Sequence, residues 1–315
     1  MSRTAKIVLG IVVAVVVMCV MLVVGVVAVI GTEGSIGAGG KIGVMHLSGV
    51  VSASADAYSL TGTQGIDPEW TAEALRKADR DDSIDAVLLR VNSPGGSPAA
   101  SWEIYQAVKD MSKPVVVSVG DVAASGAYYF SSAADIIVAA PSSQVGSIGV
   151  ILAAVDLEEL LDKVGIEYTV LTRGEYKDLG HFSRDITPEE EDILNEQMDL
   201  IYRQFIRDVA DARSGLTEAE VEALANGLSF PGEEALRKGL VDRTGSYRDA
   251  LEAAAELSGL EPDSYTVKSL DQDRDQSLLG LLFGLSEEGG LDQLVRRVLG
   301  IAELGGSFAG VPVFR

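Results

Sequence analysis

Ser125 is the first candidate for chemistry, because alanine and glycine alone surround it in residues 123–127. This segment follows an apolar run of strand length at 114–119 and begins a helical pattern that extends to about residue 134. Small neighbours permit a tight turn that exposes the hydroxyl, as in a nucleophile elbow, although the Gly-x-Ser-x-Gly pattern is absent. A helix N-terminus behind Ser125 would favour developing negative charge. Taken alone, the segment favours the commoner role of serine, a helix N-cap.

A nucleophilic serine also needs a base, and Lys177 in residues 174–178 is a candidate. Lysine can take this role when burial lowers the pKa of its amine towards neutrality. The chain has 2 histidines, and one of them, His181, is close enough in sequence to be an alternative base. Without further context, a lysine is most often a solvated surface charge.

A third candidate segment, residues 92–96 (Asn-Ser-Pro-Gly-Gly), follows the apolar run 86–91. Two successive glycines let the backbone turn sharply and present its amides without a side chain in the way. The segment is therefore a candidate wall of an oxyanion hole, which needs fixed donors where negative charge develops. The alternative is an ordinary glycine turn between a strand and a helix.

The elements around these segments predict an α/β fold, because strands and helices alternate along the chain. Several strands end in glycine-rich turns before helices, where backbone amides become available to an anion. Residues 187–190 (Thr-Pro-Glu-Glu) form a capping box that predicts the start of a long amphipathic helix. The predicted strands are 41–51, 86–91, 114–119, 136–139 and 168–171, with an edge strand at 265–270; the main predicted helices are 67–78, 98–111, 125–134, 157–164 and 187–212.

The composition excludes some partners and cofactors. The formal net charge is −22, from 47 acidic and 25 basic residues, which argues against nucleic acid as a partner. This excess of acid fits either solubility in high salt or an ordinary acidic extracytoplasmic surface. The single cysteine, Cys19, excludes an internal disulfide. No Cys/His spacing suits a metal, so we expect neither a metal nor a cofactor.

Residues 7–30 form an uncharged apolar run that predicts a transmembrane anchor. A helix of that length spans about 36 Å, more than the ~30 Å hydrocarbon core of a bilayer. Arg3 and Lys6 precede the run, so the positive-inside rule places the N-terminus in the cytoplasm and the remainder outside. The alternative is a long signal sequence that is eventually removed.

Taken together, these segments resemble the signal peptide peptidase A family of membrane serine peptidases, also called protease IV. The resemblance extends over roughly residues 41–245, with its main signature at 86–150 and another at 230–242. The family's nucleophile, in its Ala-Ala-Ser-Gly segment, falls on Ser125. Its general-base lysine lies about fifty residues later in a Gly-x-x-Lys segment and falls on Lys177, 52 residues after Ser125. The order and spacing make the resemblance specific.

The same resemblance implies further roles and an assembly. The family's lysine-coordinating serine falls on Ser147, and its oxyanion donors fall on the backbone amides of Gly96 and Ser125. Family members have a crotonase/ClpP-like α/β fold and assemble into rings or domes. Short relatives place the serine and lysine of one site on neighbouring protomers, so we expect a homo-oligomer with shared sites. Pro98 departs from the family pattern, and we expect the peptide-binding rim to differ there.

The resulting domain prediction has five parts. They are a cytoplasmic N-terminus (1–6), a transmembrane anchor (7–30), a glycine-rich linker (31–40), a serine peptidase domain (41–260) and a C-terminal extension without an assigned role (261–315).

The predicted function is that of a membrane-bound serine endopeptidase with a Ser-Lys dyad. It would degrade released signal peptides or short unfolded segments outside the cytoplasm, through an acyl-enzyme. Two other classes stay open: an acyl-CoA enzyme on the crotonase fold, and a catalytically silent membrane scaffold.

Overall fold

The computed structural model describes residues 40–53 and 65–271, in which parallel strands and helices alternate. The strands of this part are β1 (Gly40–Ser48), β2 (Ala86–Ser93), β3 (Val115–Ala124), β4 (Ile136–Ala139), β5 (Gln144–Gly146), β6 (Ser229–Pro231), β7 (Arg243–Thr244) and β8 (Tyr265–Ser269). The helices are α1 (Pro68–Arg80), α2 (Pro98–Lys109), α3 (Gly126–Ser132), α4 (Glu158–Val164), α5 (Pro188–Ala212), α6 (Glu218–Leu224), α7 (Gly232–Arg237) and α8 (Tyr247–Leu257).

One sheet organises these elements, in the order β6-β5-β3-β2-β1-β8. Strand β4 pairs with β3 and carries β7 beside it. The pairs are parallel except for β5 with β6, which is antiparallel. The prediction of an α/β fold with largely parallel pairing is therefore confirmed, as is the edge strand β8.

The middle of the sheet is the core, and its strands read as nearly continuous apolar runs because both faces are covered. Helix α8 contributes small side chains that let it lie close to one face. The cluster comprises Ile42, Val44, Ala86, Leu88, Val116 and Val138 of the sheet with Ala250, Leu251, Ala253, Ala254 and Ala255 of α8.

Helices α1 and α5 begin where their capping residues predict. The Asp67 carboxylate accepts a hydrogen bond from the Trp70 amide at 2.8 Å, with Pro68 as the first residue of α1. Thr187 and Glu190 form the complete capping box of α5. Such caps depend on neighbouring residues alone, which is why the sequence predicts them well.

Residues 150–187, which we call the arm, run outside the sheet. The prediction of a strand at 168–171, within the arm, is wrong. The arm contains one short helix, α4, and none of its residues is buried. Tyr168 stacks on His181 and tilts against Phe182, with ring centroids 5.2 Å apart in both pairs. A strand needs a ladder partner, and the structure gives 168–171 none within the described residues.

The predicted anchor at 7–30 and linker at 31–40 lie outside the described residues, apart from Gly40 at the start of β1. Among residues 40–53 and 65–271, no helix combines the length and apolar character that a membrane crossing needs.

Candidate active site

Ser125 lies between the end of β3 and the start of α3, in a strained backbone conformation. Its φ is +52° and its ψ is −125°. A residue with a side chain rarely adopts positive φ, and such strain clusters at functional sites. The hydroxyl makes no capping hydrogen bond to the helix. The N-cap role that the isolated segment favoured is therefore not the role of this side chain.

The glycine pair at 95–96 packs directly against the turn that holds Ser125. A Cβ added to Gly95 would lie 2.6 Å from the Gly126 nitrogen and 2.9 Å from the Ser125 Cβ. At Gly96 an added Cβ would lie 2.1 Å from the Val51 carbonyl oxygen. Both positions therefore exclude larger residues, and the segment is more than an ordinary connecting turn.

Pairing with Val51 leaves the Gly96 amide on the side of the segment that faces away from Val51. The Val51 N–H donates to the Gly95 carbonyl at 2.9 Å, and the Ser97 N–H donates to the Val51 carbonyl at 2.8 Å. Successive amides of an extended chain point to opposite sides. The Gly96 N–H therefore points away from Val51, and Gly96 borders the same groove as Ser125.

The predicted oxyanion role of the Ser125 amide is wrong. Its N–H donates to the Gly146 carbonyl at 2.7 Å, as part of the contact between β3 and β5. Gly126, which the sequence analysis missed, has no intrahelical acceptor for its N–H because it is the first residue of α3. The amides of Gly96 and Gly126 are therefore the pair available here. The role of Gly126 could have been predicted from the sequence, because in a nucleophile elbow the residue after the nucleophile supplies one backbone N–H of the oxyanion hole.

Ser147 lies beside Ser125 at the ends of two neighbouring parallel strands. Ala124 of β3 is in register with Gly146 of β5, so the next residue of each strand is one of the two serines. Ser147 also has a positive φ, +51°. Its hydroxyl donates to the Gly227 carbonyl at 3.0 Å. The structure thus brings Ser125, Ser147 and Gly96 together, as the sequence predicts.

Ser125 borders two cavities. The larger is an open groove of about 780 Å³. Its lining comprises Val50, Pro94, Gly95, Gly96, Ser125, Ser147, Gly149, Val150, Ile151, Met198, Asp199, Tyr202, Ala225, Asn226 and Gly227. The smaller cavity, about 100 Å³, is mostly apolar. Its lining comprises Gly96, Pro98, Ser125, Gly126, Tyr129, Gly149, Val150, Ile151, Ile201 and Phe205.

A buried polar network fixes the wall of the smaller cavity. The Tyr129 hydroxyl donates to the Asp208 carboxylate at 2.5 Å, and its ring stacks on Phe205 with centroids 4.5 Å apart. The Tyr105 hydroxyl donates to the Asp208 carbonyl at 2.9 Å. Burial, and then the hydrogen bond to Asp208, raise the pKa of Tyr129 well above its usual value. Tyr129 therefore stays neutral, and contacts to both its hydroxyl and its ring hold it in the wall of the cavity.

Lys177 does not join these groups within one chain. It is exposed on the arm and is not among the residues that line either cavity at Ser125. The alternative base, His181, stacks on Phe182 with centroids 4.4 Å apart, and its Nδ1 is 2.9 Å from the Ser183 hydroxyl. Neither candidate base therefore borders Ser125 in the isolated chain. In the described part of the chain, no group of three or more His, Cys, Asp or Glu side chains is arranged to hold a metal ion.

Comparison with known proteins places the chain among peptidases. Residues 107–261 match the family model described as Peptidase family S49, and residues 63–145 match the one described as Clp protease. The Synechocystis sp. protein slr0021, which is named as a protease, is 42% identical over 188 residues, 59% of this chain and 68% of its own length. Protease 4 of Haemophilus influenzae is 35% identical over 232 residues, which make up 71% of this chain and 37% of that protein.

A solved structure shares the fold. The 1510-N membrane-bound stomatin-specific protease, as a lysine-to-alanine mutant in complex with a substrate peptide, aligns with a TM-score of 0.50 and 18% identity. The alignment covers 79% of this chain and all of the other. Fold and site together define a serine peptidase with a ClpP-like α/β domain. More specifically, the chain belongs to peptidase family S49, the family of signal peptide peptidase A and protease IV.

Proposed function

We propose that this protein is a membrane-bound serine endopeptidase whose active site combines Ser125 of one protomer with Lys177 of its neighbour. The observation that carries the proposal is the conformation of Ser125, which is strained, uncapped and open to a groove of about 780 Å³, with Gly96 and Gly126 beside it. Lys177 lies away from this groove in its own chain. A neighbouring protomer is therefore the natural source of the base.

The chemistry follows from these positions. The neutral amine of Lys177 accepts the proton of the Ser125 hydroxyl as the oxygen attacks a peptide carbonyl. The amides of Gly96 and Gly126 stabilise the oxyanion, and each such donor is worth about 3 kcal/mol. The protonated amine then gives its proton to the leaving amine, and water hydrolyses the acyl-enzyme with the amine again as base. Ser147 orients the amine, as the third member of a triad orients its base.

The arm supplies an apolar surface for the assembly. Its side chains are uncovered in the isolated chain, with Ile151 94% and Leu171 89% exposed. Many exposed apolar side chains in one segment suggest an interaction site. The other exposed apolar residues of the arm are Leu152, Val155, Leu160, Val164, Ile166, Tyr168, Val170 and Tyr176. Packing the arm on a neighbour would bury them and would bring Lys177 into the interface between protomers.

The smaller cavity suits the side chain that precedes the scissile bond, because it opens beside Ser125. Its volume of about 100 Å³ and its rigid Tyr129 wall favour small or medium aliphatic side chains. Released signal peptides are rich in such residues, and they remain near the bilayer.

The proposed topology keeps the enzyme at the membrane. Residues 1–6 lie in the cytoplasm, 7–30 span the bilayer, and 31–40 link the anchor to an extracytoplasmic peptidase domain at 41–260, followed by the extension 261–315. The long apolar run and the basic residues before it support this arrangement. The substrates follow from the same placement: released signal peptides or short unfolded segments.

Labelling with a fluorophosphonate serine probe tests the proposal, using the full-length protein in detergent. We expect the wild type to label at Ser125 and to hydrolyse a peptide of aliphatic residues, and Ser125→Ala to do neither. Lys177→Ala should lose hydrolysis. A wild type that neither labels nor hydrolyses peptides would instead support a silent scaffold or an acyl-CoA enzyme.

A further inference from the structure

The loop that carries Lys177 has no regular secondary structure to hold it. It consists of successive turns, in which the Lys177 N–H donates to the Gly174 carbonyl at 3.3 Å and the His181 N–H donates to the Asp178 carbonyl at 2.9 Å. A base that must reach a hydroxyl on another protomer needs a loop that is held in one position, because a small misplacement lowers the reaction rate strongly. Contacts made by the side chains on either side of Lys177 hold this loop.

Arg184 ties the residue after Lys177 to helix α5. Its Nε donates to the Asp178 carboxylate at 2.9 Å, while Nη1 and Nη2 donate to the two Glu190 oxygens at 2.8 and 2.6 Å. Nη1 also donates to the Asp185 carbonyl at 3.0 Å. A guanidinium has five N–H donors in a rigid fork, and these contacts use four of them. Such a fork fixes direction as well as distance.

Glu190 is itself held in place. Its side chain is 5% exposed, and it accepts a hydrogen bond from the Thr187 N–H at 3.0 Å within the capping box of α5. Exposed ion pairs contribute little to stability, but this one has a buried carboxylate and two-point geometry. Farther along, α5 lines the groove with Met198 and Tyr202. The same helix therefore borders one site and anchors the loop of Lys177.

A second contact ties the residue before Lys177 to the same helix. The Tyr176 hydroxyl donates to the Glu189 carboxylate at 2.8 Å. Both immediate neighbours of Lys177 are thus attached to consecutive glutamates at the start of α5, one directly and one through Arg184. Lys177 itself has no part in these contacts, so its amine stays available.

We propose that Arg184 is a positioning residue that, through Asp178 and Glu190, directs Lys177 towards the Ser125 of a neighbouring protomer. This proposal rests on the proposed function, since it assigns Arg184 a role only if Lys177 is the base. Arg184 touches neither the serine nor the groove, and it acts entirely through the loop.

Kinetics of Arg184→Gln test the proposal on the full-length protein in detergent. We expect kcat to fall about 10²-fold, with KM within about twofold, because the substrate groove is unchanged. Arg184→Lys should recover only part of the loss, because one ammonium cannot bridge both carboxylates as a fork does. Arg248→Gln is the matched control; it also removes an arginine bound to two carboxylates, Glu252 and Asp263, and should keep wild-type kcat.

A double-mutant cycle separates positioning from a merely structural role. With an activated ester, Lys177→Ala should retain measurable turnover, and adding Arg184→Gln should then cost no more than twofold. An equal loss in both backgrounds would overturn the proposal, and so would wild-type kcat for Arg184→Gln. If Lys177→Ala matches the wild type, it is the proposed function that fails instead.

Asp178→Asn keeps the proposal testable if Arg184→Gln does not fold or assemble. It weakens the tie to the Lys177 loop but leaves the pair of Arg184 and Glu190 at the helix start. We expect a kcat loss in the same direction, with the oligomer intact by native mass spectrometry. Wild-type kcat for Asp178→Asn would overturn the proposal.

Discussion

Ser125 and Ser147 both hold a backbone angle that glycine normally supplies, with φ values of +52° and +51°. Each costs about 1–3 kcal/mol, and such strain persists only where the surrounding structure imposes it. Both serines come directly after the paired ends of β3 and β5. Both also line the groove, which is the arrangement that a shared lysine amine requires.

Gly96→Ala tests the oxyanion amide. The new Cβ would lie 2.1 Å from the Val51 carbonyl oxygen, so the backbone must shift and carry the amide with it. We expect kcat to fall about 10²-fold, as for the loss of one oxyanion donor. Gly215→Ala is the control, because nothing lies within 4 Å of its added Cβ, and its activity should match the wild type. Equal activities of the two variants would contradict the assignment.

Ile201→Ala tests the smaller cavity as the side-chain pocket. Ile201 lines this cavity and is 36% exposed, so its truncation enlarges the pocket with little loss of core packing. We expect the kcat/KM for phenylalanine, relative to alanine, before the scissile bond to rise about tenfold. Leu200→Ala, one residue away and outside both cavities, should leave the ratio unchanged. A ratio that moves equally in both variants would refute the pocket.

Most of the individual site residues could be predicted from the sequence. Ser125 and Gly96 could be placed together, because the segments that carry them follow predicted strands; Ser147 could be added only through the family resemblance, since β5 was not predicted. The error at the Ser125 amide arises because its acceptor, Gly146, comes from β5, and that pairing cannot be read from nearby residues. Gly126 could have been found from the chemistry of nucleophile elbows.

Among the elements, α5 links most of the site. Its capped start holds Glu189 and Glu190, its middle lines the groove, and Phe205 and Asp208 near its end support Tyr129. The capping box made this helix predictable. The prediction of a strand at 168–171 is wrong because it rests on apolar residues alone. Apolar residues indicate that a surface will be buried, but they do not reveal which element or partner buries it.

The acid stability of α5 should depend on Glu190. The hydrogen bond from Arg184 is the main cause that lowers the pKa of Glu190 from 4.5 to about 2. Because the folded pKa is the lower one, this contribution is complete above about pH 4.5 and is lost as the pH falls towards 2. We expect the Tm of Glu190→Gln to fall less steeply than that of the wild type between these pH values.

The Tm of Arg184→Gln as a function of pH tests the same ion pair from the side of the arginine. It removes the main cause of the low pKa, so its Tm should follow the flatter profile of Glu190→Gln. Thermal unfolding followed by circular dichroism at pH 2 to 7 checks both. Parallel slopes for the wild type and both variants would contradict the role assigned to this ion pair.

For the whole molecule, the apolar arm predicts assembly. Leu171 is 89% exposed, and a charge there would be costly if a neighbour covers it. We expect Leu171→Asp to shift the oligomer towards monomers and to lose peptide hydrolysis, while its circular dichroism stays unchanged. Leu257→Asp, at the end of α8 and 41% exposed, should stay assembled. Sedimentation of the detergent-solubilised proteins decides between these outcomes.

The fold of the whole domain could be predicted because motif order and strand alternation agree. The oligomer stays a prediction, since a single chain shows an uncovered surface but not the partner on it. The same holds for the anchor at 7–30, whose length and flanking charges alone support it.

Mixing two inactive variants tests the shared site most directly. Ser125→Ala and Lys177→Ala, dissociated and reassembled in equal amounts, should recover about a quarter of wild-type peptide hydrolysis, because random neighbours pair an intact serine with an intact lysine at that frequency in a closed ring. Each variant reassembled alone should stay inactive. Mixed oligomers, verified by native mass spectrometry, that remained inactive would contradict a site shared between protomers.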